Sequence, residues 1–152
     1  MVLRIATRDY FESLERFARY LPPAKDSELL VLKGHLLIER LLEKYLAQNL
    51  ANARELDEAR LSFSQKLSMV MALHSDPDSA WLWRAIRLLN ALRNDLAHRI
   101  DSTRQPELLE EFLRHVESSP ELPELAPPDE ITERLHRAVF AVHEAMSHRV
   151  DL

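Results

Sequence analysis

Apolar residues recur at helical spacing along almost the whole chain, and short polar or proline-rich segments separate the periodic stretches. Apolar positions three and four residues apart mark one face of an amphipathic helix. The pattern therefore predicts six helices, and no strand-like alternation competes with them. The expected helices cover about 7–20, 27–52, 64–73, 77–98, 106–117 and 129–148, with connectors at 53–61 and 118–128.

Capping and helix-breaking residues set several of these boundaries. Pro22 ends the first helix, and Asp26 or Ser27 supplies the N-cap oxygen of the second. Asp76 followed by Pro77 is a strong start signal, because aspartate caps free N–H groups and proline suits the first helical turn. The fourth helix is therefore expected to begin at Pro77.

The composition fits one all-helical domain that covers residues 1–152. Hydrophobic residues make up 46% and charged residues 30%, which is an ordinary globular balance. Glycine occurs once, although hairpins and tight turns need it. A single glycine also excludes both the GxGxxG and the GxxxxGK phosphate loops. We expect an antiparallel helical bundle of about five to six helices.

The one glycine, Gly34, falls inside the long second helix. Glycine within a helix costs about 1 kcal/mol relative to alanine, so its position needs a reason. A missing side chain allows another helix to approach closely. The fourth helix is the neighbour that we expect there.

The amino-acid composition and spacing argue against a metal site, a disulfide bond and a membrane-spanning segment. There is no cysteine, and His136, His143 and His148 are spaced by seven and five residues, unlike the i, i+4 pairs of helical zinc sites. We therefore expect no metal and no cofactor. Residues 1–8 lack a signal-peptide core, and no stretch is long and apolar enough for a membrane span. A cytoplasmic protein is expected.

Positive charge is concentrated in one segment. The net charge is −5, but residues 81–104 contain five arginines against two aspartates. Residues 105–152 contain four basic and eleven acidic side chains. A local basic strip within an acidic chain can bind a phosphate backbone while limiting non-specific adhesion.

The fourth helix is expected to have two distinct faces. Its apolar face is formed by Trp81, Leu82, Ala85, Ile86, Leu88, Leu89, Leu92 and Leu96. The opposite face carries Trp83, Arg87, Asn90, Asn94 and His98. A solvated face normally carries Lys and Glu, which favour helix, so this one is unusual. Trp83 is expected to stack on a base or to pack at a dimer interface.

Arg93 and His98 are the chemically informative pair on this helix. Five residues rotate an α-helix by about 140°, so the two side chains leave it in different directions. They could meet if the long guanidinium bends, or if a second protomer packs on the same face. Alternatively, both are ordinary cations at a helix C-terminus, where they complement the dipole.

The segment Arg93-Asn94-Asp95-Leu96-Ala97-His98 resembles the Arg-four-residues-His motif of HEPN domains. The resemblance extends from Lys33 to Ile100, and it includes the helix start at Phe63. It implies a helical bundle that dimerises, with the motif helices lining a cleft between protomers. Active HEPN proteins are metal-independent RNA endonucleases, and other members are inactive scaffolds or regulatory partners. The partners implied are RNA, a second copy and a cognate regulatory protein.

The resemblance assigns roles to individual side chains. His98 would transfer protons, Arg93 would bind phosphate, and Asn94 would assist both. Arg87, Asn90 and Arg99 are expected to contact RNA. Some HEPN toxins carry tyrosine two residues after the motif histidine, and here that position is Ile100. Pairing with a nucleotidyltransferase antitoxin is therefore not expected.

His35 and Glu39 lie one turn apart at the edge of the second helix. Either they form a local hydrogen bond, or they orient a motif residue and line the cleft. Three functions stay open on the sequence alone. The first is a HEPN-type RNA endonuclease, the second is a non-catalytic dimerisation or regulatory module, and the weakest is a helical transcription regulator.

Overall fold

The computed structural model describes residues 7–98, 100 and 103–150. This part of the chain is built from helices and contains no strand, which confirms the predicted all-helical class. The α-helices are α1 (Thr7–Phe17), α2 (Ser27–Asn49), α3 (Phe63–Leu73), α4 (Ala80–His98), α5 (Gln105–Glu117) and α6 (Ile131–Val150), and the two 3-10 helices are Ala53–Leu56 and Pro77–Ser79.

Two helices end three residues earlier than predicted. After Phe17 the backbone tightens, and the N–H of Tyr20 bonds the Phe17 carbonyl three residues back. α2 ends at Asn49 because Leu50 has an extended backbone, although its N–H still bonds the Leu46 carbonyl. Apolar periodicity continues past both ends, so the pattern alone overestimates helix length.

The start of α4 differs from the prediction in its first turn. Asp76 caps as predicted, and its Oδ1 accepts the Asp78 N–H at 3.0 Å. Pro77–Ser79 forms a 3-10 turn, and the α-helix begins only at Ala80. The Oδ2 atom of Asp76 also accepts the Ser79 hydroxyl, which favours the tighter turn.

α2 and α6 form the central pair of the bundle, and Gly34 lies at their contact. A Cβ atom built on Gly34 would lie only 2.7 Å from Cγ1 of Val139. The neighbour that needs this close approach is therefore α6. The expectation that it would be α4 was wrong, since the glycine turns about 100° away from the His35 side of α2.

α4 contacts four other helices, α2, α3, α5 and α6. It runs antiparallel to α2, because His35 contacts Asn90 while Tyr45 and Trp83 both contact His74. The N-terminal half of α2 therefore lies beside the C-terminal half of α4. This register decides which residues surround the motif segment.

Trp83 corrects the two-faced view of α4. Its side chain is 6% exposed and packs edge-on to the His74 ring at 5.8 Å. It is therefore unavailable for a base or a second protomer. The contact with His74 covers the first turn of the polar face, whereas Arg87, Asn94 and His98 on the same face are exposed.

A buried polar network joins the last turn of α6 to the start of α4. Arg149, only 8% exposed, donates to the Ser79 hydroxyl at 2.7 Å and to Glu121 at 2.6 Å. Trp81 donates its indole N–H to the same carboxylate at 3.2 Å. The loop between α5 and α6 is thereby tied to the N-terminal end of α4.

Candidate functional site

The motif segment forms the last two turns of α4. Arg93 is half-buried, whereas Asn94 and His98 are exposed. The helix is continuous to His98, so Arg93 and His98 leave it about 140° apart, as the sequence predicts. Ile100, which follows the helix, is fully exposed. Arg99, one of the expected RNA contacts, lies outside the described residues.

The described contacts of Arg93 do not reach His98. Its Nη1 donates to Oδ1 of Asn94 at 3.4 Å, a long hydrogen bond on the surface. Its charge also acts on His35 across the α2–α4 contact. Within the described part of one chain, the structure therefore brings Arg93 together with Asn94 and His35, and leaves His98 apart.

Two arginines of the basic segment keep their charge available. No described carboxylate pairs with Arg87 or Arg93, whereas Arg84 on another side of α4 contacts Glu111 at 3.3 Å. Arg87 is exposed, and its Nη2 lies 3.4 Å from the Met71 sulfur. A guanidinium without a carboxylate partner can accept a phosphate without breaking an ion pair.

His35 and Asn90 form the best-defined polar contact near the motif. His35 is 7% exposed, and its Nε2 lies 2.9 Å from Oδ1 of Asn90. An amide oxygen only accepts, so the histidine is the donor. The ring also stacks on Phe63, with centroids 4.1 Å apart. α2, α3 and α4 thus meet at one buried imidazole.

The surroundings of His35 favour its neutral form. Burial lowers the pKa of His35 below 6.5, and the positive charge of Arg93 lowers it further. The hydrogen bond to Asn90 and the charge of Glu39 act in the opposite direction but are outweighed. His35 is therefore a neutral donor at pH 7.

Glu39 is engaged by α3 and not by His35. Lys66 donates to Glu39 and to Glu43, each at 2.8 Å. Burial by itself would lower the pKa of Lys66, but these two hydrogen bonds raise it above its usual value. Among the described contacts, the local His35–Glu39 hydrogen bond is absent, because each side chain bonds a different neighbouring helix.

Two features near the site were not anticipated from the sequence. His74 lies between Tyr45 and Trp83, with Nδ1 3.1 Å from the tyrosine hydroxyl. The second feature is an exposed apolar stripe on α2, formed by Leu29, Leu32 and Leu36. Spacing of three and four residues could have identified this stripe, but the many leucines around α2 concealed which of them are uncovered.

Position along the bundle places this stripe beside the motif. His35 lies opposite Asn90, and α2 and α4 are antiparallel. Counted from this pair, Leu32 therefore lies at the level of Arg93 and Leu29 at the level of Leu96, within one helical turn of His98. The open end of α4 thus combines exposed polar groups with a neighbouring apolar surface.

Comparisons of the chain with protein families, curated proteins and solved structures gave no match. None of the described helices is both long and apolar enough to cross a membrane. No three His, Asp or Glu side chains in the described ranges are grouped so that they could hold a metal ion. The functional argument therefore depends on the geometry at the end of α4.

Proposed function

We propose that this chain is a metal-independent RNA endonuclease of the HEPN type. The observation that supports it most is the state of the motif segment: His98 and Asn94 are exposed, and Arg93 has no carboxylate partner among the described residues. A polar, uncovered end on an otherwise packed helix is suited to a ligand. The sequence resemblance supplies the kind of ligand.

The chemistry requires only groups that this segment offers. RNA carries its own nucleophile, the 2′-hydroxyl, which loses its proton and attacks the adjacent phosphorus to form a pentavalent phosphorane. The bond to the 5′-oxygen then breaks, the leaving 5′-oxygen takes up a proton, and a 2′,3′-cyclic phosphate remains. His98 would exchange the protons, since histidine is the side chain that most often serves as general acid and base. Arg93 would bind the phosphate oxygens with its planar set of donors. Asn94 would hydrogen-bond the substrate beside it.

A second copy of the chain would complete the site. One α4 directs Arg93 and His98 about 140° apart, so one chain offers a single histidine and a divergent guanidinium. Two copies packed through the Leu29–Leu32–Leu36 stripe would place two motif ends near each other. One histidine would then serve as base and its partner as acid.

A non-catalytic dimerisation or regulatory module is the second candidate. The exposed leucine stripe favours it, because docking through that stripe needs neither His98 nor Arg93. In that case α4 would shape an interface, and a cognate regulatory protein would bind the assembled dimer.

The decisive experiment is RNA cleavage by the purified chain with EDTA present. His98→Ala should reduce the rate by about 10²- to 10⁴-fold, the usual contribution of a positioned proton-transfer group. The matched control is His148→Ala, which removes another largely exposed histidine from the last turns of a helix. Arg93→Ala should also impair cleavage, whereas Arg84→Ala on the same helix should not. Cleavage that survives His98→Ala contradicts the proposed site.

The dimer is tested separately by mass in solution. The wild-type chain is expected at twice 17.7 kDa, and Leu36→Glu should shift it toward the single-chain mass. Leu73→Glu is the control, because Leu73 is a similarly exposed leucine on α3. Burying the charge of the new glutamate in the dimer interface is unfavourable and should weaken dimer formation by more than about tenfold. A dimer without RNA cleavage would favour the second candidate.

A further inference from the structure

The hydrogen bond between His35 and Asn90 fixes one end of a polar side chain on the motif helix. Asn90 is half-buried and lies one turn before Arg93 and Asn94. Its amide oxygen is occupied by the histidine at 2.9 Å. The amide is planar, so its amino group is then the end that can bind something else, and it offers two donors.

Two other histidines of the chain, one buried and one half-buried, show what a structural role looks like. His136 contacts the Leu21 carbonyl at 2.6 Å, and His115 contacts the Trp81 carbonyl at 2.8 Å. Both tie the ring to the backbone of another segment. His35 instead holds a half-exposed side chain on the face that carries Asn94. Its contact determines which hydrogen-bonding groups that face presents.

The groups around His35 keep it in place as a donor. Phe63 of α3 stacks on its ring, and Arg93 of α4 disfavours a second positive charge beside it. The nearby carboxylate, Glu39 of α2, is occupied by Lys66 of α3. Nothing in this shell competes with Asn90 for the Nε2 proton.

We infer that His35 is a positioning residue, which orients the Asn90 amide so that its amino group donates to a phosphate oxygen of RNA next to Arg93. This inference rests on the proposed function, and it adds a substrate contact to it. Without the histidine, the amide would rotate freely and present oxygen or nitrogen with similar ease. An oxygen turned toward phosphate would repel it.

The test is a double-mutant cycle on RNA binding. Affinity is measured with a single-stranded RNA in which 2′-deoxy substitutions prevent cleavage, for the wild type, His35→Phe, Asn90→Ala and the double variant. His35→Phe keeps an aromatic ring against Phe63 but removes the donor. Each single variant should lose about tenfold or more in affinity, the range of a hydrogen bond to a charged group. The double variant should be no weaker than Asn90→Ala.

A second variant separates positioning from packing. His35→Gln offers an amide N–H in place of Nε2–H and should restore most of the RNA affinity. Thermal stability should depend on how well each side chain fills the buried site, so the order of the two variants in stability should differ from their order in affinity. Nitrogen chemical shifts of the ring should show the Nε2–H form, and RNA should perturb the Asn90 side-chain NH₂ signals.

The outcomes distinguish the two proposals. Additive losses in the cycle, no rescue by glutamine, or no RNA binding by the wild type would each overturn the role of His35. RNA binding with the expected coupling, but without cleavage of unmodified RNA, would support the role of His35 and contradict the endonuclease.

Discussion

At the scale of single residues, the contact between Gly34 and Val139 constrains how closely α2 and α6 approach each other. Val139 is fully buried, and its β-branched side chain has little rotamer freedom in a helix. A methyl group on Gly34 would lie 2.7 Å from Cγ1, a distance at which the valine side chain or one of the two helices must shift. The packing of α2 on α6 thus depends on the missing side chain of Gly34.

Gly34→Ala should destabilise the fold even though alanine favours helix. The propensity gain is about 1 kcal/mol, and overpacking of a core costs about 1–3 kcal/mol. We expect a net loss of up to about 2 kcal/mol in the free energy of unfolding, measured by urea denaturation. Gly34→Ala combined with Val139→Ala should lose less than the sum of the two single variants. Additive losses would show that the contact is not limiting.

The sequence predicts the role of a residue where that role depends on the side chain's own chemistry. It does not predict the role where that depends on which residues of neighbouring helices lie opposite. The polar face of α4 carries two asparagines and no Lys or Glu, which already indicated that solvent exposure alone does not explain its composition. The sequence could not show that Trp83 packs against His74, which follows α3, or that Asn90 meets a histidine 55 positions away. Both follow from how the helices are stacked, which local periodicity does not encode.

At the scale of elements, α3 begins with a complete capping box. The Ser62 hydroxyl accepts the Gln65 N–H at 3.1 Å, and the Gln65 side chain accepts the Ser62 N–H at 2.9 Å. The next residue, Phe63, stacks on His35. The cap therefore also holds a ring that supports the candidate site.

Ser62→Ala should cost about 1 kcal/mol of stability, the usual effect of losing an N-cap. Ser64→Ala is the control, because Ser64 is exposed in the same first turn and is not the cap. Amide hydrogen exchange should accelerate at the start of α3 in the first variant only. Equal effects of the two substitutions would contradict this role of the cap.

The helix ends illustrate what the sequence can establish about elements. Asp26 or Ser27 was predicted to cap α2, and Asp76 the helix that follows it; Asp26 and Asp76 both accept backbone N–H groups at these helix starts. The early ends of α1 and α2 were missed, since apolar residues beyond them still reach the core. Leu21, for example, is fully buried although it follows the end of α1. Burial alone therefore does not define a helix.

At the scale of the whole molecule, buried histidines couple stability to pH. Burial lowers the pKa of both His35 and His143 below the usual 6.5. The unfolded chain therefore takes up protons at a higher pH than the folded chain does. Their contribution to stability is complete above pH 6.5 and is lost as the pH falls through the lower, folded-state values.

The free energy of unfolding should therefore decrease on acidification from pH 7.5 to 5. Each proton taken up on unfolding adds at most about 1.4 kcal/mol per pH unit to the slope. His35→Phe and His143→Phe should each flatten the curve between pH 7 and 5. The control is His148→Phe, which replaces a largely exposed histidine. A wild-type curve that is flat over this range would contradict the expected linkage.

The fold class followed from composition and periodicity, but the arrangement of the helices did not. One glycine and many helix formers suffice for an all-helical bundle. The network of Arg149, Ser79 and Glu121 had no sequence signal, because Glu121 lies in a proline-rich loop that reads as ordinary surface. Contacts of this kind depend on chain reversals that local patterns leave undetermined.

The two ends of α4 are anchored unequally, and this affects the order of ligand binding and ordering of the last turn. Its first turns are held by Arg149 and Trp81, whereas its last turn exposes the His98 side chain to solvent. Opening of that turn moves the imidazole while the guanidinium of Arg93 stays with the packed part of the helix. A bound ligand must therefore suppress this fraying before His98 and Arg93 can act together. Heating should increase the fraying of the last turn well below the temperature at which the bundle unfolds.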